Sequence, residues 1–263
     1  MNKRIAILDG DIFVYKVATA TMKEIMFDEY VVAIGDRAEA IVALSNWIEK
    51  VKTDIDADDI HIAFTGKDNF RKKIWAGYKQ NRTRKKPMLV KELQDWCMQN
   101  YSCLVDAKLE ADDILGQWMS ESYLNKDLDY VGVSEDKDLQ GVPGALFNPE
   151  KDTLIQRKDL DEAIMFFYTQ VLTGDTSDGY KGVPGVGPVK AARYLGKACD
   201  ESEGLYDFID KGWRAILKLY EKNGDVNDAY INADMAKILW YGEKPIRFWV
   251  EDLKTFWRKK YER

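Results

Sequence analysis

An α/β fold with a mostly parallel central sheet flanked by helices, followed by a helical C-terminal region, is what this 263-residue sequence predicts. Three observations predict it. Strand and helix signals alternate over the first two-thirds of the chain, the pattern of parallel strands joined by crossover helices. Acidic residues fall just after apolar runs, at the strand ends where ligand sites of open α/β sheets gather. After about Asp159 the strand signal fades, and helical patterns separated by glycine-rich turns take over. The expected division is residues 1–158 for the α/β part and 159–263 for the helical part.

The elements follow in order. Lys3–Leu8 is an apolar run ending at Asp9. Arg37–Val51 carries Ile41, Leu44, Ile48 and Val51 at spacings of three and four, one face of a helix. Ile60–Phe64 is a second strand, and Leu89–Met98 a helix after Pro87, a usual helix-start residue. Ser102–Val105 is a short strand, Asp112–Leu124 a helix and Leu128–Val133 a further strand. Ala145–Asn148 and Thr153–Gln156 suit short edge strands. Leu160–Leu172, Val189–Leu195, Gly212–Tyr220 and Ala229–Leu239 read as helices.

Composition narrows the chemistry. An apolar share of 46% with 12% aromatic is globular. The apolar runs are far short of a membrane span, and the start MNKRIAILDGD lacks the apolar stretch of a signal peptide, so no membrane role and a cytoplasmic setting are expected. Three cysteines at unrelated spacings give neither a disulfide framework nor a paired zinc motif. The single His61 sits in a strand-like run, which excludes a His-rich metal site. Catalysis is left to carboxylates, Lys, Arg, Tyr or bound metal. The net charge of −6 argues at first against a nucleic-acid partner.

Acids recur in tight clusters: Asp9 and Asp11 in LDGD, Glu110, Asp112 and Asp113 in LEADD, Asp136 and Asp138 in SEDKD, and Asp175 and Asp178 in TGDTSDG. Each cluster ends a strand or opens a helix. The spacing of Asp175 and Asp178 would let one helical turn aim both at a common point. Gathered carboxylates repel one another and need a counter-charge. Oxygen-only ligands favour Mg²⁺ or Mn²⁺, and two such ions can clamp an in-line phosphoryl transfer. Phosphodiester hydrolysis is the leading chemistry.

Asn69–Lys91 carries nine Lys and Arg and no acid, which leaves −15 on the rest of the chain. Trp75 and Tyr78 are interleaved with the cations, a combination suited to neutralising phosphates and stacking bases, or else to packing. Gly182–Pro188 reads GVPGVGP before a short helix, with Lys181 and Lys190 flanking it. Its glycines allow a tight turn, and the amides of the following helix start can hold a phosphate.

Taken in order, ILDGD, NFRKKIWAGYKQNR with its YKxxR core, LEADD, SEDKDL and TGDTSDGYKGVPGVGPVKAA resemble the metal-dependent 5′-nuclease superfamily. That superfamily includes flap endonucleases, the 5′-nuclease domains of bacterial DNA polymerases and phage 5′→3′ exonucleases. The phage branch is nearest in motif, helped by MAKILWYGE near the C-terminus.

The resemblance implies a PIN-like nuclease domain. It implies metal ligands at Asp9, Glu110, Asp112, Asp113, Asp136, Asp138, Asp175 and Asp178, holding two or more Mg²⁺ or Mn²⁺ ions. Lys79 and Arg82 fall on positions that contact the scissile phosphate, and Tyr78 on a base-stacking position. Arg71, Arg84 and Lys85 belong to the basic gateway over the DNA. Residues 174–195 would form a helix-three-turn-helix that grips duplex backbone through Lys181, Gly185, Gly187 and Lys190 and holds K⁺. The expected partner is DNA with 5′ ends, nicks or flaps, with RNA–DNA hybrids open, acted on by a monomer in replication or repair, in the host cytoplasm for a viral enzyme.

The family places an Asp at or just after the second strand. Here Thr65 and Gly66 stand there, and Asp68 is the candidate substitute. That gap leaves room for a non-catalytic protein that binds branched DNA on the same scaffold. LDGD and GDTSDG also have some likeness to haloacid-dehalogenase-type phosphatases, though Ile12-Phe13 departs from their motif and the basic segment would be superfluous.

Overall fold

The structure is a computed structural model that describes residues 2–27, 30–83, 85–151, 154–200, 202–248 and 250–261. Its centre is a six-stranded sheet in the order β5-β4-β1-β6-β7-β8. These strands are β1 (Arg4–Asp9), β4 (Asp59–Thr65), β5 (Ser102–Asp106), β6 (Asp129–Val133), β7 (Gly144–Phe147) and β8 (Gln156–Lys158). The first five run parallel, and β8 pairs antiparallel with β7 at the edge. The α/β expectation is met, with strand bounds within a few residues.

Alternation along β1 shows why both faces of the sheet are covered. Ala6 and Leu8 point into one buried core, and Ile7 into another. The first core is closed by α1 (Gly10–Ala20), α2 (Arg37–Asp54) and α4 (Val90–Asn100), through Phe13, Leu44, Ile48 and Leu93. The second is closed by α5 (Ala111–Leu124), through Ile114, Leu115 and Met119. It runs on without a break into α6 (Leu160–Thr173), α7 (Pro188–Cys199), α8 (Leu205–Asn223) and α9 (Val226–Ala236). Burying each such aliphatic side chain contributes about 1.5–3 kcal/mol. Among the described residues no helix is long and apolar enough to cross a membrane.

Several elements differ from the sequence reading. The hairpin β2 (Met22–Phe27) and β3 (Tyr30–Gly35) stands apart from the main sheet, with Ile25, Val32 and Ile34 exposed. Alternating apolar residues there serve an isolated ribbon rather than the core. Asp175 and Asp178 lie on no helix. Asp175 ends the short strand β9 (Gly174–Asp175), which pairs with β10 (Tyr180–Lys181), and its carboxylate accepts from the Ser177 amide to form the intervening turn. The helix expected to reach Leu239 stops at Ala236. The edge strand expected to begin at Thr153 lies partly outside the described residues and is resolved as β8. The short helix α3 (Phe70–Ile74) opens the basic segment, and α10 (Val250–Tyr261) ends the described chain.

Candidate active site

The topology fixes where the acids meet. From β1 the chain winds outward through β4 to β5, then returns to β6 on the other side of β1. A crevice opens at such a reversal, beyond the carboxyl ends of the two central strands. Asp9 is the last residue of β1, and Asp136 follows β6 by three residues. The Ser134 hydroxyl joins the two strand ends by donating to Asp9 Oδ2 at 2.9 Å. Asp9 also caps α1 by accepting from the Ile12 amide. Glu110 is the N-cap of α5, so Asp112 lies in the first turn.

Glu110, Asp112, Asp136, Asp138, Asp175 and Asp178 line one pocket, together with Lys79 and Arg82. Asp9 lies buried beside them. The structure thus brings together acids that are up to 169 positions apart in sequence, from Asp9 to Asp178.

The electrostatics divide this set. Burial pushes Asp9 up to about 7, helped by Asp11 and Asp136 and opposed by the Ser134 hydrogen bond. Burial, then Asp136, pushes Asp138 up to about 7. Asp112 is driven well above the ordinary carboxylate range by burial and by Asp9 and Asp136. Glu110 behaves in the opposite way. Burial opposes its charge, but Arg71 and Lys79 outweigh burial and hold it down at about 2. Its Oε1 accepts from Lys79 Nζ at 2.6 Å, and its Oε2 from Tyr78 Oη at 2.7 Å and Arg71 Nη1 at 3.1 Å. Asp178 accepts from Arg82 at 2.6 Å. Asp175 is lowered although burial raises it, because Ser177 donates to it and Lys137 lies 3.5 Å away.

Uncompensated, clustered carboxylates are what a hard divalent cation neutralises, and this donor set contains only oxygen. Asp138 Oδ1 is buried with no hydrogen-bond partner, an acceptor left open towards the pocket acids. The residues therefore fit the expected ions. Among the described residues no three acids stand as a preformed cation cage, so the ligands would draw together around the ion.

Lys79 is held by its backbone as well as its side chain. Its φ is +56°, left-handed for a residue with a Cβ, and its amide donates to the Asp178 carbonyl at 2.9 Å. Sparse backbone states of this kind persist where the surroundings impose them. Burial opposes its charge, but Glu110 and Asp178 dominate and hold the ammonium above its usual range.

Four expected roles are corrected. Arg71 is 2% exposed and grips Asp113 with two bonds of 2.7 Å, so its guanidinium faces the protein interior and not the basic surface expected of it. Asp113 is fully buried, its carboxylate held by Arg71 and by the amides of Glu110 and Leu239, so it is no pocket ligand. Tyr78 is 3% exposed with its phenol on Glu110, which leaves no face for a base. Asp68 is exposed, pairs with Lys73 and lies off the pocket. At the end of the second strand, Thr65 Oγ1 accepts from the Ala111 amide and the Thr65 amide donates to Asp11.

Lys85 is exposed, and Arg84 lies outside the described residues. In the glycine turn, Gly185 has φ +71°, and a Cβ at Gly185 or Gly187 would meet open space. Lys181 is exposed, and Lys190 Nζ donates to the Gly185 carbonyl. Sequence reasoning missed Ser134 and Lys137. Both lie inside or beside the SEDKD motif, whose acids drew all the attention.

An α/β fold that gathers acids and a few cations at a strand-order reversal defines a hydrolase-like site for anionic substrates. The 5′-3′ exonuclease N-terminal resolvase-like domain family matches residues 4–162, and the chain belongs to that family. An exodeoxyribonuclease of Enterobacteria phage T3 is 27% identical over 91% of this chain and 79% of its own length. An exonuclease of Escherichia phage T7 is 29% identical over 71% of this chain and 65% of its own length. DNA polymerase I of Lactococcus lactis is 28% identical over 79% of this chain, which spans only 25% of the polymerase. In fold, the chain is similar to the bacteriophage T5 flap endonuclease solved with DNA and metal ions. The TM-score is 0.63 at 14% identity, covering 90% of this chain and 89% of the other.

Proposed function

We propose that this protein is a divalent-metal-dependent 5′→3′ exonuclease and flap endonuclease acting on DNA. The observation that carries the proposal is the single pocket that joins Glu110, Asp112, Asp136, Asp138, Asp175 and Asp178 with Lys79 and Arg82. The family match and the phage exonuclease relatives support it. Asp9, Asp112, Asp136 and Asp138 would hold Mg²⁺ or Mn²⁺, with Glu110, Asp175 and Asp178 completing the set. When bound, such ions polarise phosphoryl oxygens and acidify water.

The chain's own residues do the rest. Lys79 is aimed by its left-handed backbone and by Glu110, and it offsets charge that develops on the phosphate. Arg82, anchored on Asp178 but over half exposed, meets the incoming strand. Lys85 extends the phosphate contact. Residues 174–195 hold a strand pair and a single helix start rather than two helices, so the duplex-gripping and K⁺ role falls to the Gly182–Pro188 turn ahead of α7, with Lys181 and Lys190. The substrates are DNA duplexes with 5′ ends, nicks or flaps, cut by a monomer.

The test is digestion of 5′-labelled nicked, flapped and blunt duplexes with Mg²⁺ and again with EDTA. Short products released from the 5′ end with Mg²⁺, and none with EDTA, are expected. Tight binding of branched DNA without cleavage would overturn the proposal in favour of a non-catalytic binder.

A further inference from the structure

The chain leaves α9 at Ala236, three residues before the sequence pattern predicts, and residues 237–241 become an extended strap across α5. Gly116 is what lets it lie so close: a Cβ there would come within 2.6 Å of both Ile238 Cγ2 and the Leu239 carbonyl oxygen. The strap is stitched down along its length. The Leu239 amide donates to Asp113 Oδ1 at 3.1 Å, the Tyr241 amide to Ser120 Oγ at 2.8 Å, and the Trp240 indole to the Gly141 carbonyl at 3.1 Å. The Lys237 carbonyl accepts from Arg71 Nη2 at 2.5 Å.

Arg71 is the junction. Its Nη1 and Nη2 donate to Asp113, Glu110 and that one strap carbonyl, while Nε is buried without a partner among the described residues. Remove the carbonyl and a buried donor is left unpaired. That would be a second unpaired donor beside Nε, which rotation of the guanidinium would relieve. Rotation would release Glu110 Oε2, and Glu110 Oε1 is what aims Lys79.

Within the strap segment itself, Glu243 adds a further tie. Glu243 Oε2 accepts from both the Trp240 amide and Lys237 Nζ, each at 2.7 Å. It thereby draws the two ends of the 237–240 bend together. Lys237 and Trp240 are both buried, with the ammonium 4.1 Å from the indole centroid.

We propose that Glu243 is a positioning residue for phosphodiester cleavage: it sets the strap, the strap carbonyl sets Arg71, and Arg71 sets Glu110 and Lys79. The proposal rests on the nuclease reading for its kinetic arm only.

Glu243→Ala is expected to lower the single-turnover cleavage rate at saturating enzyme about tenfold, the scale of a sub-ångström misplacement of a catalytic group. Duplex affinity in Ca²⁺ should stay within about twofold, since Glu243 itself lies outside the acid-lined pocket. Glu243→Gln, which keeps one acceptor and the volume, should recover part of the rate. On an Arg71→Lys background the same change should cost far less than tenfold, because the relay is already cut. Full additivity of the two substitutions would overturn the proposal, as would an unchanged rate for Glu243→Ala.

A second readout needs no activity. The Arg71 guanidinium protons, assigned by their loss in Arg71→Lys, should exchange slowly in ¹⁵N NMR spectra of the wild type and be broadened in Glu243→Ala. Unchanged Arg71 resonances would overturn the relay even in an inactive protein. Absence of Mg²⁺-dependent cleavage by the wild type would instead sink the nuclease reading.

Discussion

Two walls of one pocket carry the same residue types and opposite electrostatics. On the wall built from the ends of β1 and β6 and the first turn of α5, Asp9, Asp112 and Asp138 have no facing cation strong enough to offset burial. On the wall formed with the basic segment, Glu110 is surrounded by Arg71, Lys79 and Tyr78, and Asp178 by Arg82. The difference teaches a division of labour. The first wall lacks an internal counter-charge, which suits the cation proposed for it. The second is balanced within the protein, so before any ion is bound it holds Lys79 and Arg82 in place.

The largest effect that can break this contrast comes from neutralising one acid on each wall. Asp112→Asn should cut cleavage on the order of 10³-fold and yet raise the melting temperature of the metal-free protein, because it removes a repelled charge. Glu110→Gln should also impair cleavage but lower the melting temperature, leaving Arg71 and Lys79 short of a partner at a cost of about 1–3 kcal/mol. Thermal melts in EDTA decide it: if both variants shift the same way, the walls are not different.

A smaller effect sharpens the role of the balanced wall. Lys79→Ala should depress the single-turnover rate on the order of 10²-fold while changing duplex affinity only a few-fold. An unchanged single-turnover rate would remove Lys79 from the chemistry.

The smallest is the pH response. Asp9 and Asp138 keep their protons in the folded state up to about 7, whereas the unfolded chain releases them near 3.9. The folded protein therefore holds more protons across that window, and its metal-free stability falls as pH rises from about 4 to 7. Glu110, held at about 2, acts oppositely. Its contribution is complete above its unfolded value near 4.3 and is lost as pH drops towards 2. Between pH 5 and 7 Asp9 and Asp138 lose their protons while Glu110 stays ionised. Melting temperatures in EDTA should thus decline across this range, and Mg²⁺ should restore more stability at pH 7.5 than at pH 5. A flat or rising EDTA profile would contradict the raised acids.

Primary structure alone was enough for the fold class and for most of the acids. A parallel sheet buried on both faces writes itself as short apolar runs between amphipathic helices. Acids at the ends of those runs, such as Asp9 and Asp136, must then sit at one edge of the sheet. Covalent neighbourhood decides these features, and covalent neighbourhood is what a sequence records.

Tertiary structure decided which charges face outward. The nine cations of 69–91 look alike as text, yet Arg71 and Lys79 turn inward to Glu110 and Asp113 across more than 30 residues, while Lys85 stays exposed. Likewise LEADD does not say that Asp113 would close onto an arginine and Asp112 onto a pocket. The two are adjacent on a helix and point about 100° apart, so their surroundings come from different parts of the fold. The strap at 237–241 is the extreme case. Its helix pattern continues to Leu239, but the buried donors of Arg71 and the bare surface of Gly116 make an extended path the better satisfied one. Pairing of buried polar groups is settled only when distant segments meet, and here that pairing separates the acids left without a cationic partner from those already matched.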